Sequence, residues 1–111
     1  MEWLENSSDG KLHKFKFYQS NHEGVIIDII QDESIWADGI IINPGALGHY
    51  SYSIRDALDS ISVPSIEVHI SNINKREEFR AKSVLEDVCI ERIHGKGKLS
   101  YLNALKKLAT L

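Results

Sequence analysis

Short apolar runs of strand length alternate along this chain with stretches of helical spacing. Lys14-Phe15-Lys16-Phe17-Tyr18 alternates apolar and polar side chains, which predicts a strand with one covered face. Ser20-Asn21-His22-Glu23 has the Ser-x-x-Glu form of a capping box, and Val25, Ile26, Ile29 and Ile30 follow it at helical spacing. Gly39-Ile40-Ile41-Ile42 is a β-branched run stopped by Asn43-Pro44-Gly45, the pattern of a buried parallel strand entering a tight loop. A helix is expected from Tyr52 to about Ser60, then, after Pro64, a strand Ser65-Ile66-Glu67-Val68-His69. A short charged helix is expected near Asn74 to Arg80, and Val88-Cys89-Ile90 begins a further strand reaching toward Ile93. Gly95 and Gly97 break the chain before a last helix on which Tyr101, Leu105 and Leu108 share a face.

Strands alternating with helices predict an α/β sandwich with a mainly parallel sheet, in one domain over residues 1–111. Sites in such sheets form at the carboxyl ends of the strands, which directs attention to Asn43, His69 and the loops that follow them. Composition adds exclusions. Hydrophobic residues make up 42%, charged residues 26%, and the formal net charge is −3 with the basic residues scattered. Such a surface gives polyphosphate no stripe to follow, so nucleic acid is not an expected partner. No signal-peptide or membrane-anchor pattern is present, and the cytoplasm is the expected location. The single Cys89, in an apolar run, reads as a small core residue in a reducing compartment.

Glu67 and His69 are two apart on a predicted strand and therefore share a face. A carboxylate beside an imidazole orients the ring and favours its charged form, which suits a general acid. The plainer alternative is a strand-end ion pair at the surface. Asn43 can offer its amide to a ligand or simply stabilise its turn. His49 is either a ligand group or an ordinary histidine at a helix start. Backbone amides near Ser71 and Asn72 can hold an anion, or the two side chains can serve as caps. Arg76 and Arg80 lie on one helical face, where Glu77 and Glu78 offer ordinary surface partners. His49, Glu67 and His69 form a conceivable metal set, although no helical His pair or Cys pair supports it. No phosphate-binding glycine loop and no nucleophile elbow is present.

Four stretches in order resemble the type II 3-dehydroquinate dehydratases. They are Gln19-Ser20-Asn21-His22-Glu23-Gly24; Asn43-Pro44-Gly45-Ala46 with His49; Ser53-Ile54-Arg55-Asp56-Ala57-Leu58; and Glu67-Val68-His69-Ile70-Ser71-Asn72, running on to Arg76-Glu77-Glu78-Phe79-Arg80. The resemblance is clear from about residue 17 onward. It implies a flavodoxin-like three-layer fold and a cofactor-free, metal-free dehydration of 3-dehydroquinate to 3-dehydroshikimate in the shikimate or quinate pathways. It also implies trimers as the local unit of a homo-oligomer, usually a dodecamer. His69 matches the general acid and Glu67 its orienting partner. Asn43 matches an amide near the reacting centre, and the Ile70 and Ser71 amides match a carboxylate cradle. His49 and Arg80 match groups that hold the ring hydroxyls, Arg76 matches an arginine near the lid, and Asp56 matches an acidic residue lent to the neighbouring subunit's site.

The family's opening strand, its Asn-Gly-Pro-Asn turn and the lid bearing the catalytic tyrosine have no counterpart in these residues, so an N-terminally truncated domain is expected. Tyr18, Tyr50, Tyr52 and Tyr101 do not match the lid position. Because the missing strand is central in a sheet of order 2-1-3-4-5, its two neighbours are expected either to pair directly or to leave a gap. A second chain could fill such a gap. Residues 1–11 read as an abbreviated or altered first helix.

Overall fold

The computed structural model describes residues 1–70 and 82–111; the expected helix near Asn74 to Arg80, with Ser71, Asn72, Arg76 and Arg80, lies outside them. Among the described residues three parallel strands form the sheet: β1 (Ile40–Ile42), β2 (Ser65–His69) and β3 (Glu91–His94), in the order β1-β2-β3. Ile42 aligns with Glu67, Glu67 with Arg92, and His69 with His94. All five residues of the central strand β2 are buried, as a strand covered on both faces requires.

The period-two alternation of β2 divides two cores. Ile66 and Val68 face helix α4 (Leu99–Ala109), where they meet Ala104, with Ile41, Ile93, Tyr101 and Leu108 packed around them. The opposite face of the sheet meets α2 (Glu23–Glu33) and α3 (Tyr52–Ser60), with Ile40 and Ile42 packed against Ile30, Ile54, Ala57 and Leu58. The buried positions of α3, at i, i+3 and i+4, make the apolar stripe of an amphipathic helix. A short helix α1 (Glu2–Glu5) and a 3₁₀ turn (Gly10–Leu12) lie on the α4 side. Lys98 stands over the Trp3 ring at 5.2 Å, and Lys106 lies 3.9 Å from Asp9. The result is the α/β sandwich with a parallel sheet that the alternating pattern predicts, in the three layers that the resemblance implies.

Three local expectations are corrected. Residues 14–18 form no strand, and the outer edge of β1 has no ladder partner among the described residues. Direct pairing of these two segments is therefore not the solution the chain adopts. An alternating sequence needs a neighbouring backbone to become a strand. Here the segment is tied down by side chains instead. Glu33 accepts from Tyr18 Oη at 2.8 Å and from Trp36 Nε1, and Lys16 lies 3.2 Å from the same carboxylate and over the Trp36 ring. The Trp36 and Tyr18 hydrogen bonds hold the Glu33 carboxyl below its usual range, and the bond to Glu33 holds the Tyr18 phenol above its own.

The capping box at Ser20 does not form either. His22 is the N-cap of α2, Ser20 Oγ accepts from the His22 N–H, and Glu23 accepts from Ser51. Ser51, at the N-cap of α3, also accepts from the Ile54 N–H and so joins the two helix starts. Finally, β3 begins at Glu91, three residues later than the apolar run suggests. Cys89 and Leu85 instead turn into the α2–α3 core, and only the Ile90 N–H, bonded to Ser65 O, announces the strand.

Candidate active site

Parallel strands bring their carboxyl ends to one edge, so Asn43 after β1, Ile70 after β2 and the residues after β3 collect there. Glu67 is fully buried, yet both its oxygens are satisfied. Oε2 meets His69 Nε2 at 2.5 Å, and Oε1 accepts from Ser83 Oγ at 2.7 Å. Ser83 is fixed in turn by accepting from the Leu85 N–H at 3.1 Å. An ionised carboxylate can only accept, so Nε2 carries the hydrogen and Nδ1 is the nitrogen directed away from the pair. His69 is only 7% exposed, which rules out the plainer reading of a solvated surface ion pair. The arrangement is an imidazole whose ring angle is set by a buried acid, leaving Nδ1 as the nitrogen that can exchange a proton with a ligand.

The loop after β1 supports this pair from above. Gly45 has φ +58°, a conformation open to glycine without a Cβ penalty, and it starts the 3₁₀ turn Gly45–His49. Gly48 is needed for space: a Cβ there would lie 2.8 Å from Pro44 Cγ and 3.5 Å from Glu67 Oε2. The Gly48 carbonyl accepts from the Val84 N–H, which draws the segment bearing Ser83 against Glu67. His49 Nδ1 lies 2.7 Å from Lys82 O. A carbonyl accepts only, so Nδ1 carries the hydrogen of this contact. Asn43, exposed at the strand end, donates from Nδ2 to Tyr101 Oη at 3.1 Å and accepts from the Gly45 N–H at 3.3 Å.

Of the residues expected from the sequence, Glu67, His69, Asn43, His49 and Ile70 thus stand on the one edge of the sheet. Asp56 is exposed on α3, and no described hydrogen bond joins it to that group. Ser71, Arg76 and Arg80 lie outside the described residues. Among the described residues no three His, Cys, Asp or Glu side chains could share a metal ion, so the set His49, Glu67 and His69 is not assembled as ligands. Cys89 is a core residue as expected, its thiol pushed up to about 12, chiefly by burial and secondarily by the Glu67 charge. No described helix is long and apolar enough to cross a membrane.

Sequence reasoning missed Ser83 and Tyr101, whose partners are 16 and 58 residues away. It also missed Arg92 and His94, which stand in register with Glu67 and His69. For the last two the signal was present: a strand carried past Ile93 to His94 puts Arg92 and His94 on one face.

The sequence pattern of the family Dehydroquinase class II matches residues 2–109. The 3-dehydroquinate dehydratase of Caldicellulosiruptor saccharolyticus is 58% identical over 95 residues, covering 83% of this chain and 64% of the relative. That of Dictyoglomus turgidum is 61% identical over 90 residues, covering 81% of this chain and 62% of the relative. The chain therefore spans less than two thirds of the length of these two relatives. The crystal structure of a type II dehydroquinase from Butyrivibrio crossotus superimposes with a TM-score of 0.87 at 55% identity, over 89% of this chain and 70% of that one. One from Propionibacterium acnes superimposes with a TM-score of 0.80 at 40% identity, over 85% and 65%.

Proposed function

Because the chain belongs to the class II dehydroquinase family, we propose that it serves the dehydration of 3-dehydroquinate to 3-dehydroshikimate, with His69 as the proton donor. The observation that carries this reading is the buried Glu67–His69 pair, with Ser83 behind it, at the carboxyl edge of the sheet. In the elimination a base takes a proton from the carbon beside the ketone, and the electron pair of that C–H bond forms an enolate. The enolate collapses to the conjugated double bond as the hydroxyl departs. His69 supplies the proton that turns that hydroxyl into water, from the nitrogen not engaged by Glu67. Glu67 compensates the imidazolium charge before the proton is given up and keeps the ring aimed.

By the family motif, Asn43 presents an amide hydrogen near the reacting centre, and the Ile70 and Ser71 amides receive the substrate carboxylate. His49 and Arg80 match groups that hold the ring hydroxyls, Arg76 matches an arginine near the lid, and Asp56 matches an acidic residue lent to a neighbouring copy in a trimer-based homo-oligomer. The assignment of these roles rests on the match of this sequence to the family motif. None of Tyr18, Tyr50, Tyr52 and Tyr101 matches the family's lid tyrosine, and none is assigned the removal of the α-proton. The pathway that follows from the reading is aromatic biosynthesis or quinate use, in the cytoplasm.

The test is incubation with 3-dehydroquinate while the ultraviolet absorbance of the enone product is followed, with His69→Ala in parallel. Turnover that disappears in His69→Ala is the expected result. Turnover equal in both proteins would overturn the assignment of the acid. Binding of 3-dehydroquinate without turnover would replace the enzymatic reading by that of a ligand-binding subunit. Light scattering on the same preparation reads the assembly, for which multiples of three are expected.

A further inference from the structure

The first turn of α4 is tied to two strand ends at once. Ser100, fully buried, donates from Oγ to His69 O at 3.3 Å, and the Gly97 N–H donates to Ile70 O at 2.9 Å. One residue on, the Tyr101 phenol reaches the end of β1 and accepts from Asn43 Nδ2, while its ring packs against the Ile66, Val68 and Ala104 core. The ring is thus placed by the core and the hydroxyl by the ring.

Asn43 is a two-faced group whose chemistry depends on which face it presents. The Gly45 N–H identifies the oxygen, because an amide nitrogen in that place would set two donors against each other. Oδ1 is therefore committed to the loop and one Nδ2 hydrogen to Tyr101. The other Nδ2 hydrogen is the one that can meet a ligand, and it calls for an oxygen that receives a hydrogen bond. We propose that Tyr101 is a positioning residue for Asn43: its hydroxyl stops the amide from turning about its last bond and so sets the position's preference for a ligand acceptor. This rests on the reading of Asn43 as a substrate contact, though the contact between the two side chains does not.

Tyr101→Phe removes the hydroxyl and keeps the ring in its apolar seat. Two measurements on the full chain decide the matter. In ¹⁵N-resolved NMR the Asn43 side-chain amide, assigned by its loss in Asn43→Ala, should shift in Tyr101→Phe and exchange with solvent several-fold faster. The affinity for 3-dehydroquinate should fall by about two- to tenfold, the range for loss of one uncharged hydrogen bond, with the melting temperature little changed. The double variant Asn43→Ala/Tyr101→Phe should bind no more weakly than Asn43→Ala alone, since Tyr101 acts only through Asn43.

An unmoved Asn43 amide signal would overturn the proposal, as would losses that add in the double variant. Failure of the parent chain to bind 3-dehydroquinate would sink the substrate reading, and the NMR signal would still decide whether Tyr101 holds Asn43. If Tyr101→Phe does not fold, the same contact is read from its other end. The Tyr101 Cζ resonance should then shift in Asn43→Ala, and no shift would overturn the proposal.

Discussion

Replacing Ser83 by alanine removes one of the two hydrogen bonds received, among the described residues, by a carboxylate with no solvent contact. A hydrogen bond to a charged group contributes about 1.5–3 kcal/mol, because the alternative is a buried charge left short of a donor. Ser83 Oγ also receives the Leu85 N–H, whose loss adds about 1 kcal/mol. The expected destabilisation is therefore about 2.5–4 kcal/mol, which for a domain of this size lowers the melting temperature by at least about 10 °C. Thermal unfolding followed by circular dichroism measures it. The origin of the effect is checked in a Glu67→Gln background, where the bond from Ser83 meets an uncharged amide. There the same Ser83→Ala change should cost less by about 1 kcal/mol or more. In turnover, Ser83→Ala should lower kcat with KM close to the parent value, because the loosened group is the orienting partner of His69 and not a substrate contact. Melting within about 2 °C of the parent, or equal losses in both backgrounds, would refute the claim that Ser83 holds the Glu67 charge.

Three further outcomes are expected. Ser65 Oγ is buried without a hydrogen-bond partner among the described residues, so Ser65→Ala should leave the melting temperature unchanged or raise it, by up to about 2 kcal/mol of stability. The Cys89 thiol is held protonated to about 12, so a thiol reagent at pH 8 should leave the native chain unlabelled and label it promptly after denaturation. This pKa is raised on folding, so its contribution to stability is complete below the unfolded thiol's range. It is lost as pH rises from there toward 12, and Cys89→Ala should flatten that loss in an alkaline melting series. Glu33 has its carboxyl lowered by Trp36, Tyr18 and Lys16, so its contribution is present above the ordinary carboxylate range and is lost as pH falls through the lowered value. Trp36 fluorescence, read in a Trp3→Phe background, should change over that acid range, and Glu33→Gln should abolish the transition.

Features governed by local periodicity were legible in the sequence. The two-residue repeat of a strand places Glu67 and His69 on one face whatever surrounds them, and the same repeat sends Ile66 and Val68 to the other. The spacing of Ile54, Ala57 and Leu58 likewise determines the stripe that α3 buries. Alternation of strands and helices was enough for the layered α/β arrangement and for the edge where the polar strand ends meet.

What only the tertiary structure decided is which group answers which. Residues 14–18 carry the pattern of a strand, but a strand is a relation between two backbones, and side-chain contacts with Glu33 and Trp36 hold this segment instead. Ser20 and Glu23 carry the pattern of a capping box, yet Glu23 is taken by Ser51, 28 residues away. Ser83 and Tyr101 have no local signature, because a hydroxyl acquires its meaning from the carboxylate or amide that folding brings within reach. Periodicity reports which face of an element is buried. Hydrogen-bond partners depend on how separate elements are stacked, and that is set by the packing of the whole core.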